Sequence, residues 1–185
     1  MTAEKEVFII LSDTGTLFTR TIKLFTRAPF NHTSIAFDSD FNEVYSFGRK
    51  NVHNPFFAGL VKENLYHPFF SMAKCAIYRC RVSKKDYNRM YHYVNKMMKV
   101  QDRYTYNLLG LVAVLLKTEI NRKYSYFCSQ FVAHIFEQSS IKIVDKPCCF
   151  VEPEDFAKSP YVEEIFKGML MDFLYDDYEE QLSFQ

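Results

Sequence analysis

The segment beginning at Ser83 constrains this chain most. Tyr87, Met90, Tyr91, Val94, Met97 and Met98 recur at helical spacing, and Ser83 with Asp86 forms a capping-box-like start in which Asp replaces the usual Glu. A helix with one apolar stripe must lay that stripe on another element. This one carries methionine and tyrosine as core residues rather than as a cofactor box. The apolar segments before it have strand length: Val7 to Leu11, Thr33 to Phe37, Glu43 to Phe47 and Cys75 to Val82. The polar turn Asp38-Ser39-Asp40 joins the second and third into an expected β-hairpin. Further helices are expected over Leu17 to Thr26, Asn107 to Lys117 and Phe127 to Gln138, and Pro153 suits a first helical position ahead of Glu154-Asp155-Phe156. The expected class is α+β.

The chain has 185 residues, 48% hydrophobic and 17% aromatic, without an internal repeat or a linker that would divide it. One domain over 1–185 is therefore expected, with an acidic, loosely ordered tail over 172–185. Between Gly48 and Pro68 the pattern dissolves into Asn, Gly and Pro with scattered apolar residues, and a long loop covering part of a cleft is expected. A net charge of +1 gives no global field for nucleic acid. Glu4, Lys5 and Glu6 precede a short apolar run, which does not match a signal peptide. The longest apolar run, Leu108 to Leu116, is far short of the roughly 20 residues that span a bilayer, so no transmembrane segment is expected. Five cysteines, an odd number without C-x-x-C spacing, point to reduced thiols, a cytoplasmic location and neither metal nor cofactor. The sequence sets no oligomeric state.

Cys128, in Tyr126-Phe127-Cys128-Ser129-Gln130-Phe131-Val132, stands where an apolar helix begins. Helix N-termini lower thiol pKa values, and their N–H groups can hold an oxyanion. A small buried hydrophobe is the rival role. A nucleophilic thiol also needs a base. His134, six residues further along the same helix, points roughly 240° away. His92 lies off the apolar stripe of its helix, whereas His53 and His67 fall in the irregular segment. His32 opens a strand, a good platform for a fixed group.

The order of a histidine strand, a hairpin, an insertion and a cysteine helix resembles the permuted papain-like amidases, the circularly permuted branch of the NlpC superfamily. His32 with Ser34-Ile35-Ala36 resembles that family's His-x-x-Ile strand, and Phe127-Cys128-Ser129-Gln130-Phe131-Val132 its Cys-Ser-x-Phe-Val helix start. Tyr45 to Lys50, Tyr106 to Gly110 and Pro153 to Phe156 look like signatures of a bacterial subgroup. The resemblance implies a circularly permuted papain-like fold, with a small antiparallel β-sheet or barrel packed against helices. It implies a Cys128 nucleophile and a His32 base. Its third polar member, on the strand after the histidine, aligns with Ser46; Glu43 and Asn31 are the alternatives.

Arg49 is a candidate for a substrate carboxylate or phosphate, with a surface salt bridge as its ordinary role. Tyr104 and Tyr106 are candidates for a cleft wall, with packing as theirs. The expected function is that of a cysteine-dependent hydrolase or acyltransferase acting on an amide or ester through a thioester. Peptide, muramyl peptide, lipid and small amide all remain open as substrates. The alternative is a catalytically inactive member of the fold that binds a ligand or partner.

Overall fold

The computed structural model describes residues 4–13, 29–51, 58–107 and 123–175. Six strands form one antiparallel sheet: β1 (Glu4–Asp13), β2 (His32–Ala36), β3 (Val44–Arg49), β4 (Ala58–Glu63), β5 (Lys74–Ser83) and β8 (Glu163–Met169), in the order β4-β3-β2-β1-β5-β8. β6 (Thr105–Tyr106) and β7 (Ser125–Tyr126) make a short parallel pair beside it. The helices are α1 (Lys84–Met98), α2 (Cys128–Phe136), α3 (Pro153–Ala157) and α4 over residues 170–175. The molecule is thus α+β, and among the described residues the sheet is open, with β4 and β8 as its edges.

The uninterrupted apolar run of β1 follows from its place inside the sheet. It pairs with β2 on one side and β5 on the other, and both its faces are covered. Alternation sends Val7, Ile9 and Leu11 to one face, where Ile35, Phe47, Leu60 and Ala76 join Met90, Val94 and Met97 of α1 and Phe131, Val132 and Ile135 of α2. Phe8, Ile10, Val44 and Ile77 face the other way, under Leu65, Phe70, Leu170 and Leu174. Burying each large side chain contributes about 1.5–3 kcal/mol, so the two faces together define the register.

The expected hairpin is β2–β3, paired at Ile35↔Tyr45 and Ala36↔Val44. Ser83 caps α1 as its pattern suggests: its Oγ accepts from the Asp86 N–H at 3.1 Å. The Asp86 carboxylate accepts from Ser83 Oγ at 2.7 Å and from Ser140 N at 3.1 Å, tying this helix start to the chain beyond α2. Pro153 is the first residue of α3.

The Gly48-to-Pro68 segment differs from expectation. It contains β4, paired along its whole length with β3 from Val44↔Glu63 to Arg49↔Ala58. β8 also went unread, because a register shift at Ile77/Tyr78 and its charged residues break the strand alternation. The helices expected over Leu17 to Thr26 and, from residue 108 on, over Asn107 to Lys117 lie outside the described residues. So do residues 176–185 of the expected tail, whereas 170–175 are helical.

Gly59 places the site's last wall. A Cβ there would stand 2.6 Å from the Tyr104 carbonyl oxygen, so only glycine lets the segment leading into β6 lie this close to β4. Among the described residues no helix is long and apolar enough to cross a membrane.

Candidate active site

α2 starts at Cys128, the first helical residue after Phe127, whose backbone is extended. Gln130 reaches back to the Phe127 N–H at 3.4 Å, and Ser129 Oγ donates to the Val151 carbonyl at 2.6 Å. These bonds fix the helix start and tie it to Val151, while the helix packs against β2, the strand that carries His32. His32 and the backbone N–H groups of Thr33 and Ser129 lie near enough to the Cys128 sulfur to stabilise its thiolate. Its Sγ also lies 4.0 Å from the Asn31 carbonyl oxygen. Only 4% of Cys128 is exposed.

On the other side of the ring, His32 Nε2 is 2.8 Å from Glu63 Oε1. Ser34 Oγ lies 3.3 Å from the same Nε2, so Nδ1 is the ring nitrogen left available to the thiol. Glu63 is a buried carboxylate with three donors: His32, Ser46 Oγ at 2.7 Å on Oε1 and Ser34 Oγ at 2.5 Å on Oε2. Strand alternation puts His32 and Ser34 on one face of β2, and β3 and β4 present Ser46 and Glu63 to that face. A cysteine, a histidine and a glutamate are thus joined in series.

Tyr106 completes the surroundings of the sulfur. β6 holds it there, with Thr105 N donating to the Tyr124 carbonyl at 3.0 Å and Asn107 N to the Tyr126 carbonyl at 2.9 Å. Its hydroxyl lies close to the Cys128 sulfur.

The electrostatics follow from these contacts. Burial alone lowers the proton affinity of an imidazole, but the Glu63 carboxylate and the Cys128 sulfur outweigh it and raise the His32 pKa to about 10. Burial pushes the Cys128 thiol up, yet the His32 hydrogen bond and charge, with the two N–H groups, bring it below the ordinary thiol value. Burial likewise raises Glu63, and His32, Ser34 and Ser46 carry it below the usual carboxylate range. All three shifts run toward the thiolate, the imidazolium and the carboxylate. Tyr106 moves the other way: burial and the neighbouring sulfur hold its hydroxyl protonated, hence a donor. The remaining thiols contrast with Cys128. Burial raises Cys75 to about 12 and Cys80 to about 11, and burial with the Glu137 carboxylate, 2.7 Å from Cys148 Sγ, raises Cys148.

No protein-family model matches this chain, and a search of curated proteins finds no match either.

The other sequence candidates fall in different places. Ser46 is in the cluster, but its hydroxyl binds Glu63 rather than the ring. Glu43 lies at the far end of β3, where Tyr45, Tyr91 and Lys62 engage it. The Asn31 side chain donates to Asp13 Oδ1 at 2.8 Å, and its backbone carbonyl is the part that faces the thiol. The Arg49 guanidinium lies 5.5 Å from the Phe69 ring centre. Tyr104 packs edge-on against Phe47 and Tyr124 within the aromatic core. Tyr106 alone of the two tyrosines reaches the sulfur.

His134 points away from the thiol, bonding Tyr93 and Glu137, and His92 is exposed. His67 caps a short turn through Phe69 N, and His53 lies outside the described residues. Sequence reasoning missed Glu63. Its signal was the pair Leu60-Val61 ahead of Lys62-Glu63, a short strand with a carboxylate at its end. Among the described residues no group of three His, Cys, Asp or Glu side chains is arranged to hold a metal ion.

Proposed function

We propose that this chain is a cysteine-dependent hydrolase or acyltransferase of permuted papain-like type, acting on an amide or ester bond. One observation carries the proposal: a cysteine at a helix start, beside a histidine whose Nε2 is held by a buried carboxylate. Structural ion pairs seldom bring a low-pKa thiol to the N-terminus of a helix, whereas nucleophilic catalysis needs that combination.

The steps use only these groups. The Cys128 thiolate attacks the carbonyl carbon, and the carbonyl electron pair moves onto oxygen, beside the helix-start N–H groups and the Tyr106 hydroxyl. The imidazolium of His32 gives its proton to the departing amine or alcohol as the tetrahedral intermediate collapses to a thioester. Water or another acceptor then adds to the thioester, its proton passing to His32, and Cys128 leaves as thiolate. Glu63 keeps the imidazole oriented and offsets its positive charge throughout. Against an inactive binding module stands Glu63, a charged partner for the imidazole that such a module would not need.

The test is capture of the intermediate. Wild-type protein incubated with p-nitrophenyl acetate, and with a panel of acyl amides, is expected to gain the acyl mass on Cys128. The adduct should be released by hydroxylamine, and Cys128→Ala should gain none. Acylation spread over several nucleophiles, or absent from Cys128, would contradict the proposal.

A further inference from the structure

Asn31 lies immediately before His32, on the strand whose backbone touches the nucleophile from both sides. Its carbonyl oxygen is 4.0 Å from Cys128 Sγ, and the N–H of Thr33 lies near the same sulfur. The Asn31 side chain is 8% exposed, and its Oδ1 is buried without a hydrogen-bond partner. The amide orientation is not arbitrary. Nδ2 donates to Asp13 Oδ1 at 2.8 Å, and turning the amide over would set two acceptor oxygens against each other. Asp13 therefore fixes Oδ1 as the unpaired atom.

A buried acceptor left unpaired costs roughly 1–3 kcal/mol, so its persistence needs a reason. Thr33 Oγ1 is also unpaired, but that residue is 0% exposed and enclosed by the core, beyond the reach of a ligand. Asn31 is 8% exposed, and its backbone carbonyl lies beside the thiol.

Taking the cysteine reading above as its basis, we propose that Asn31 Oδ1 accepts a hydrogen bond from an N–H of the substrate, carried on the carbon next to the scissile carbonyl. The preferred substrates are then acylamino compounds such as peptides, rather than simple fatty-acyl esters, whose acyl chains offer no donor at that place. A site built to satisfy a donor discriminates strongly against an analogue lacking it, because its own polar atom is then left unpaired.

The proposal is tested on the full chain with two alkylating reagents. In iodoacetamide an N–H group sits two bonds from the attacked carbon, where the N–H of an acylamino substrate would be; 2-iodo-N,N-dimethylacetamide has none. Rates at Cys128 are measured by peptide mapping under limiting reagent and divided by the rates with glutathione. Wild type is expected to favour iodoacetamide about ten-fold beyond glutathione. Asn31→Ala is expected to lose that preference while Cys128 still reacts faster than Cys75. Asn31→Ser, which keeps a donor for Asp13 but has no carbonyl, gives the same comparison should the alanine variant not fold. A fast Cys128 with no preference in wild type would overturn the role of Asn31 and leave the cysteine reading intact. A preference retained in both variants would assign the contact to the backbone carbonyl and also overturn it. A Cys128 no faster than Cys75 would remove the cysteine reading and this inference together.

Discussion

Replacing Glu63 with glutamine keeps the side-chain volume and removes the charge that holds His32. The carboxylate stands 2.8 Å from Nε2, and the paired side chains are 16% and 8% exposed, so water screens them little. An opposite charge at this range alters proton affinity by roughly 10- to 1000-fold. Glu63→Gln should lower the affinity of the imidazole for its proton by that factor. Cys128 then loses the cation that keeps it ionised. An ordinary thiol is only about 0.3% thiolate at pH 6, so full ionisation is worth ~300-fold in thiolate. Thiolates of low pKa are weaker nucleophiles, and a discount of roughly ten-fold or more leaves wild-type Cys128 about ten-fold faster than a normal thiol at pH 6. The assay is alkylation by limiting iodoacetamide at pH 6 and pH 9, with each cysteine quantified separately. The variant should fall to the rate of an ordinary or slower thiol at pH 6 and recover much of it at pH 9. Folding should weaken by about 1–3 kcal/mol, because an amide accepts fewer of the three donors. Unchanged Cys128 reactivity at pH 6 in a folded Glu63→Gln protein would refute the argument.

Three further outcomes follow from the same contacts. His32 is raised to about 10, so its contribution to stability is complete below about pH 6.5 and lost as pH rises through about 10. Glu63 is lowered, so its contribution is complete above about pH 4.5 and lost as pH falls through its folded pKa. The stability gap between wild type and Glu63→Gln in urea should therefore be widest between about pH 4.5 and 6.5; a gap that grows steadily to pH 10 would reverse the assigned signs. Gly59→Ala drives a Cβ to 2.6 Å from the Tyr104 carbonyl. It should cost about 1–3 kcal/mol in chemical denaturation and disturb Tyr106 with it, and a neutral substitution would show that the approach of β6 to β4 is slack. Tyr106→Phe should leave alkylation at pH 6 within a few-fold of wild type and slow acyl transfer by roughly 100-fold, as for loss of an oxyanion donor; an equal loss in both would make the hydroxyl a support for the thiolate instead.

Much of this site could be read from the sequence because its chemistry uses rare residue types in telling places. Cys128 at the head of an apolar helix and His32 at the head of a strand could be picked out one by one. The phase of the helix removed His134, and the structure does turn that ring toward Tyr93 and Glu137. The capped helix after Ser83 and the β2–β3 hairpin were legible because their local patterns and their burial agree. Glu63 was not. β4 is an edge strand holding a glycine demanded by a backbone 40-odd residues away, and Lys62 points outward, so its apolar signal shrinks to Leu60 and Val61. The sequence candidates for a third group were Ser46, Glu43 and Asn31, none of them on β4. Three strands converge on the carboxylate, and only tertiary structure shows that Ser46 serves it rather than the imidazole, and that Ser34 reaches both. β8 was hidden for a related reason: its charges sit on a sheet edge and a bulge shifts its phase.

The central claim is that Cys128 and His32 form a thiolate–imidazolium pair. A difference titration tests it most directly, subtracting the ultraviolet thiolate absorbance of Cys128→Ser from that of wild type between pH 4 and pH 10. A thiolate band already present at pH 6 is the expected result, with the other thiols, raised by burial, absent from the difference. A band that grows in only near pH 8.5, as for a free thiol, would contradict the account.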